Sequence, residues 1–263
     1  MRSLRLWSAA VLCAFVGTAS AQTKFVTIKG RITLPAAPKP KEVDITADKD
    51  HCLAKGPVLD DSVIVNPKNQ GLKNAFVYLR PDDTTKDKFD AADIHPTLAN
   101  PKAKTHTLDQ PCCMFVPRVL AMREGDLLTV KNSSPKPHNV KIDADAPSPS
   151  LNQLVVSKGE LTIEKPFFAQ RGLVSFACNI HPWMGGKMMV FNHPYFAVTD
   201  DDGKFEIKLA PEGKLRIMYR HENGYHKGRD GAKGFQIQPK ADDKGEFAIP
   251  ELSFEFPPVV PSK

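Results

Sequence analysis

The chain has 263 residues, with 36 Lys or Arg against 30 Asp or Glu, so its formal net charge at pH 7 is +6. This slight basicity permits an acidic partner or a membrane surface. It does not indicate a nucleic-acid partner, because no basic run is interleaved with aromatic residues.

Residues 1–21 have the three-part pattern of a cleaved secretory signal. Arg2 and Arg5 precede an apolar run over residues 6–16, and Ala19-Ser20-Ala21 stands before Gln22. No later stretch approaches the roughly 20 apolar residues that span a bilayer. We therefore expect an exported protein with no transmembrane segment, most simply located in the periplasm.

Short β-rich runs, separated by Gly, Pro, Asn and Asp clusters, begin at residue 25. They predict strands over residues 25–34, 62–65, 75–79, 127–130, 140–142, 161–163, 173–177 and 188–191. With 23 prolines and no long stretch of helical period, the sequence predicts an all-β chain of sandwich type. Residues 82–105 are charged and turn-rich, and predict a surface loop or a short helix around residues 84–92.

Soft metal donors are concentrated in Cys178-Asn179-Ile180-His181-Pro182-Trp183-Met184, directly after an apolar run. A blue-copper site takes two His and one Cys in a plane with a long axial Met, so one His should come from elsewhere. His138 is the best candidate. Alternation places Cys178 on the inward face of its strand and His138 on one face of another, so two strands of one sandwich can bring them together.

Residues 106–192 resemble a cupredoxin, the blue-copper family that includes plastocyanin, azurin and amicyanin. The resemblance rests on the Gly125-Asp126 turn, on Val130-Lys131-Asn132, on His138-Asn139-Val140 and on the Cys-x-x-His-Pro-x-Met loop, which is similar to that of amicyanin. It implies a Greek-key sandwich that holds one type 1 copper ion.

The resemblance also implies a role for each residue of the site. His138, Cys178 and His181 would be equatorial ligands and Met184 the axial one. Asn139 would tie the ligand loops together and tune the thiolate.

Other metal sites fit the residues less well. Zinc rarely uses a thioether, a dinuclear copper site would need a second Cys in the loop, and the paired His-x-His motifs of multicopper oxidases are absent. A Cys–His nucleophile would need an orienting group that cannot be named. With its coordination filled by protein, the ion suits electron transfer rather than catalysis, so we expect no enzyme.

The resemblance therefore predicts one-electron transfer to a redox partner such as a cytochrome or a dehydrogenase. The exposed edge of His181 would be the exit, and Pro182 and Trp183 a small apolar docking surface. A copper-binding or carrier protein without redox cycling remains the main alternative. A scaffold or adhesion module that bears a copper site is a third possibility.

Four cysteines follow the predicted cleavage point, and an oxidising compartment lets two of them pair. If Cys178 is a metal thiolate, one of Cys52, Cys112 and Cys113 is left over. We predict a disulfide between Cys52 and Cys113. Cys112 is the alternative partner, because sequence cannot separate adjacent cysteines.

The flanking segments resemble a carboxypeptidase regulatory-like module, a transthyretin-like β-sandwich. The resemblance rests on the hairpin Thr199-Asp200-x-x-Gly203-x-Phe205 and on the strands near Ile28 and Phe76. Residues 24–81 and 193–256 are predicted to build this second sandwich together. The cupredoxin-like segment, 106–192, would be inserted between them after a linker at 82–105.

Overall fold

The structure is a computed structural model that describes residues 24–256. The predicted signal peptide, residues 1–21, lies outside the described residues. Within residues 24–256, no helix has the length and apolar character needed to cross a membrane.

Nearly all of the regular secondary structure in the described part of the chain is β-strand, which confirms the predicted all-β class. In chain order its strands are β1 (Phe25–Thr33), β2 (Phe76–Pro81), β3 (Thr105–Asp109), β4 (Val119–Arg123), β5 (Leu127–Lys131), β6 (His138–Asp143), β7 (Leu151–Val155), β8 (Glu160–Ile163), β9 (Val174–Ala177), β10 (Gly185–Phe191), β11 (Phe196–Val198), β12 (Lys204–Pro211), β13 (Leu215–His221), β14 (Gly224–Tyr225), β15 (Phe235–Ile237), β16 (Glu246–Ala248) and β17 (Leu252–Ser253). The helical turns are α1 (Lys49–Cys52), α2 (Pro96–Ala99) and two 3₁₀ turns, Ala91–Asp93 and Gly231–Lys233.

One predicted strand is wrong, and one of two alternatives is decided. Residues 62–65 form no strand, and only Val65 makes an isolated bridge, to Leu72. For residues 84–92, where the sequence allowed a loop or a short helix, the structure has mainly a loop. Asp83 accepts a hydrogen bond from the Thr85 N–H at 3.0 Å, a local turn that competes with helix. The helical turns begin only at residues 91 and 96.

One pair of sheets encloses the core of the central segment. The first sheet has the order β4-β10-β9-β6-β7 and the second the order β3-β5-β8. Leu108, Leu128 and Val130 of the smaller sheet pack in one cluster with Val140 and Phe176 of the larger sheet. This sandwich carries the predicted ligands.

A second pair of sheets joins strands from the two ends of the described chain. In one sheet β1 lies between β12 and β16, with β17 also paired to β1, and in the other the order is β11-β2-β13-β14, with β15 on β13. Ile28, Val77, Phe205 and Ile217 pack together in the core of this pair.

Four consecutive residues are buried in β2 (76–79) and in β10 (188–191), so both faces of each strand are covered there, which explains the unbroken apolar runs at these positions. Val77 of β2 points into the second core, whereas Phe76 packs in a separate cluster with Met189 of β10. Met188, the neighbour of Met189, points into the core of the central segment, with Val140 and Phe176. The cluster around Phe76 therefore lies between the two sandwiches.

A partly buried ion pair accompanies this contact. Arg118, just before β4, donates from Nε and Nη2 to the carboxylate of Glu222 at 2.9 and 2.8 Å. Glu222 lies in the turn between β13 and β14, and Arg118 also donates to Asp61. A bidentate pair of this kind fixes orientation as well as distance.

We predict that His193 makes the folded state sensitive to acid. Its Nδ1 accepts the Tyr195 N–H at 3.1 Å, and burial, with Arg123 and Arg80 nearby, lowers its pKa to about 3. An unfolded chain takes up this proton below its ordinary pKa of about 6.5. Stability is therefore complete above that pH and is lost as the pH falls towards 3.

Urea unfolding of wild type and His193→Asn at pH 7 and pH 5 tests this prediction. Asn keeps an acceptor but does not titrate, so the wild type should lose about 2 kcal/mol more than the variant between the two pH values. Equal losses would show that His193 does not carry the effect.

Candidate metal centre

The pairing of β6 with β9 brings two of the predicted ligands to one end of a sheet. The strands are antiparallel, with Lys141 opposite Ala177. His138 opens β6 three residues before Lys141, and Cys178 follows Ala177 directly. Both side chains point into the core, as alternation predicts, because β6 and β9 present their inward faces to the same cluster.

Three donor atoms converge there. The Nδ1 atoms of His138 and His181 are 2.9 Å apart, and Cys178 Sγ is 3.8 Å from His181 Nδ1. All three side chains are at most 2% exposed. Two imidazole nitrogens and a sulfur that face one another in a buried pocket form a candidate metal site.

The loop after β9 is closed by its own backbone. The Cys178 N–H donates to the Met184 carbonyl at 3.1 Å, and the Met184 N–H donates to the His181 carbonyl at 2.9 Å. Met184 is 2% exposed and belongs to the same core cluster as Cys178. The loop thus returns Met184 to the start of the ligand segment.

Asn139 connects the strand of His138 to this loop. Its Oδ1 accepts the N–H groups of Asn179 at 2.5 Å and Ile180 at 3.3 Å, and its Nδ2 donates to Asn152 at 2.6 Å. Its own carbonyl accepts from Gln110 Nε2 at 3.1 Å. One side chain therefore fixes the distance between the two ligand-bearing segments.

A further segment covers the centre from outside the first sandwich. Residues 41–60, here called the cover loop, are closed at the base by hydrogen bonds from the Val43 N–H to the Val58 carbonyl and from the Asp60 N–H to the Lys41 carbonyl, both 2.8 Å. Its tip contains α1. Asp48, immediately before α1, adopts a left-handed backbone with φ 47°, which places its carboxylate over the ligand loop.

Asp48 binds the outer nitrogen of His181. Its Oδ2 lies 3.0 Å from His181 Nε2, and its Oδ1 lies 2.9 Å from Lys136 Nζ. A carboxylate partner at Nε2 favours the tautomer with the proton there, and leaves Nδ1 as a lone pair towards Cys178 and His138. The hydrogen bond from Lys136, followed by that from His181, holds the pKa of Asp48 below its usual value.

His138 is held neutral, as a metal ligand must be. Burial, followed by the nearby charges of His181 and His51, lowers the pKa of His138 to about 4. Its Nε2 is buried without a hydrogen-bond partner. The Nδ1 side of the ring therefore makes its polar contact, with His181.

The predicted exposed edge of His181 is wrong. The side chain is 0% exposed because Asp48 and the cover loop lie over it. Pro182 is exposed, whereas Trp183 is half-buried and its indole N–H donates to the Cys113 carbonyl at 3.2 Å. Docking at Pro182 and Trp183 stays a prediction.

The disulfide between Cys52 and Cys113 is present, as predicted, and Cys112 is a free, half-exposed thiol. Cys52 ends α1 in the cover loop. Because Cys113 also accepts the hydrogen bond of Trp183, the disulfide fastens the cover loop beside the ligand loop.

Sequence reasoning missed two residues of this site, Asp48 and Gln110. Asp48 is 133 positions from His181, and nothing in its local sequence marks it as a partner for an imidazole. The one available signal was the predicted disulfide, since Cys52 places this loop close to Cys113. Gln110, two residues before Cys112, is fully buried, which its polar sequence context does not indicate.

Comparison with known proteins establishes no family for this chain. No family model and no curated protein matches it. Among solved structures, an oxidised amicyanin mutant is 23% identical over 32% of this chain and 79% of its own, with a TM-score of 0.28. A purple cupredoxin from Nitrosopumilus maritimus is 19% identical over 34% and 99%, with a TM-score of 0.25.

A copper-containing nitrite reductase from Thermus scotoductus is 22% identical over 35% of this chain and 23% of its own, with a TM-score of 0.29. The names of the last two describe a cupredoxin and a copper-containing enzyme. What the present chain binds has to be inferred from its own residues.

We predict that Asn139→Ala destabilises the metal-free protein. The variant leaves the N–H groups of Asn179 and Ile180 without their acceptor, which should lower the free energy of unfolding by about 2 kcal/mol. Asn152→Ala is the matched control, because it removes only the bond to Asn139 Nδ2 and should cost about half as much. Urea unfolding without metal measures both, and equal losses would contradict the role given to Asn139.

Proposed function

We propose that this protein is an exported, mononuclear type 1 copper protein that transfers single electrons and is not an enzyme. The observation that carries the proposal is the convergence of His138 Nδ1, His181 Nδ1 and Cys178 Sγ in a pocket closed to water. Met184, at the end of the same loop, adds the thioether expected of an axial ligand.

The donor types favour copper over other metals. A thiolate with two imidazoles suits copper or zinc, and a thioether favours copper. When bound, copper would supply one-electron redox chemistry at this point. Four protein donors would leave no open position for a substrate, which supports electron transfer over catalysis.

The surrounding residues would keep the donors in place in both oxidation states. Asn139 ties the two ligand segments, Asp48 orients the His181 ring, and the backbone bonds between Cys178 and Met184 close the loop. Ligands held by their own hydrogen bonds need little movement when the charge at the centre changes.

A copper carrier without redox cycling is the second candidate. It is favoured by the burial of all three donors, since His181 lies under Asp48 and offers no bare ligand edge to a redox partner. Stopped-flow reduction and reoxidation by a cytochrome, compared with copper transfer to an acceptor protein, separates the two. Electron exchange without loss of copper supports the first candidate.

Features around the site support the proposals of export and of an inserted domain. A disulfide is typical of an oxidising compartment such as the periplasm. Pairing of β1 with β12 and of β2 with β13 supports an arrangement in which residues 106–192 are inserted in a transthyretin-like sandwich built from 24–81 and 193–256. That sandwich could also serve as a scaffold.

We expect the copper-loaded protein to show an intense visible absorption band from the thiolate of Cys178. Cys178→Ala should abolish the band, because no other cysteine among residues 24–256 groups with both His138 and His181. Cys112→Ala, which removes the other free thiol of residues 24–256, is the matched control and should keep the band. A band that persists without Cys178 would rule out the type 1 assignment.

We also expect Asp48 to lower the reduction potential of the centre. A carboxylate bonded to a ligand stabilises the more highly charged Cu(II) form. Asp48→Asn keeps an acceptor but removes the charge, so the potential should rise by tens of millivolts in a spectroelectrochemical titration. Asp50→Asn, an exposed change two residues later in α1, should leave the potential unchanged. Equal potentials in all three proteins would contradict the prediction.

A further inference from the structure

A second group of metal donors lies beside the first centre. Within residues 24–256, a ring nitrogen of His51 and the sulfurs of Cys112 and Cys113 are within 4.8 Å of one another. Cys113 is bonded to Cys52, so three sulfurs and one imidazole lie close together; this group is called here the outer donor cluster. In the disulfide form only His51 and Cys112 have free donor atoms.

Whether the Cys52–Cys113 disulfide is oxidised or reduced decides what the outer donor cluster can bind. A disulfide sulfur carries no thiolate charge and is a poor ligand, and a single thiol with one imidazole is a weak site. Once the bond is reduced, Cys113 becomes a second thiolate beside Cys112 and His51. Two thiolates and an imidazole are soft donors of the kind that select Cu(I).

Two donors of the outer donor cluster are more accessible to solvent than the donors of the first centre, and Cys113 is buried. His51 and Cys112 are half-exposed, whereas His138, Cys178 and His181 are at most 2% exposed. A metal ion that approaches from solvent on this side therefore meets His51 and Cys112 before it meets any ligand of the first centre.

The two groups of donors are also linked by contacts. Trp183 donates its indole N–H to the Cys113 carbonyl at 3.2 Å, and its ring lies 5.2 Å from the ring of His181. His51 Nε2 is 3.4 Å from the Ser134 hydroxyl, four residues before His138. One aromatic side chain thus touches both groups, and the cover loop contributes to both.

We propose that reduction of the Cys52–Cys113 disulfide creates a second, Cu(I)-binding site from His51, Cys112 and Cys113. The reductant is a dithiol, which gives two electrons and two protons to the disulfide and itself becomes a disulfide. Cu(I) then replaces the thiol protons of Cys112 and Cys113, which pass to solvent. The site is distinct from the type 1 centre and does not depend on its assignment.

The decisive experiment counts Cu(I) anaerobically by competition with a chromogenic chelator. Cys52→Ser frees Cys113 without removing any proposed ligand, so the variant should bind one more Cu(I) per chain than the oxidised wild type. Reduced wild type should match it. An unchanged count in Cys52→Ser would overturn the proposal.

Two further variants distinguish a defined three-ligand site from non-specific binding of Cu(I) to free thiols. Cys52→Ser combined with His51→Ala keeps both thiols and should bind the extra Cu(I) at least tenfold more weakly. Cys52→Ser combined with Cys112→Ser should lose it. If the His51 change has no effect, the extra ion is held by unstructured thiols and the site does not exist as proposed.

Cys178→Ser removes a proposed ligand of the first centre only. Counting Cu(I) in the reduced variant therefore tests the second site independently of the first. This variant should still bind the second ion, with X-ray absorption showing two sulfur ligands and one nitrogen. Loss of the second ion in Cys178→Ser would overturn the proposal even if the first centre remains a copper site.

Discussion

The antiparallel pairing of β6 with β9 is the constraint on which the candidate metal centre depends. Its register sets Lys141 against Ala177, so His138 and the segment after Cys178 must meet at one end of the sheet. A slip of β6 by one residue against β9 would turn His138 to the opposite face, away from Cys178. Asn139 reinforces the register, because its amide bonds to the loop only when His138 is in place.

The second sandwich contributes to the centre although it supplies none of the predicted ligands. Strand β2 and the cover loop lie in the same flank of the chain, and β2 packs through Phe76 against Met189 of β10. With the two sandwiches packed together, the cover loop reaches the ligand loop, where Asp48 and Cys52 make their contacts. The environment of His181 is therefore a property of both sandwiches.

Much of the site could be predicted because its information is local. His138 and Cys178 stand at the ends of alternating runs, and the spacing of His181 and Met184 is fixed within one short loop. Strand β7 was not predicted because only one of its five residues is buried. Residues 62–65 do not form a strand, although three of the four are β-branched. Pairing partners rather than propensity decide such cases. Asp48 could not be found, since its role depends on a left-handed turn and on a contact across 133 positions.

The position of β1 has a consequence for the order in which the chain folds. All strands that pair with β1, namely β12, β16 and β17, come from residues 204–253. The ladders of the first sandwich close over much shorter separations, and contacts between distant residues form slowly. We expect the sheets that carry the candidate metal centre to assemble before β1 pairs with its partners, so the proposed ligands would come together while the second sandwich is still incomplete.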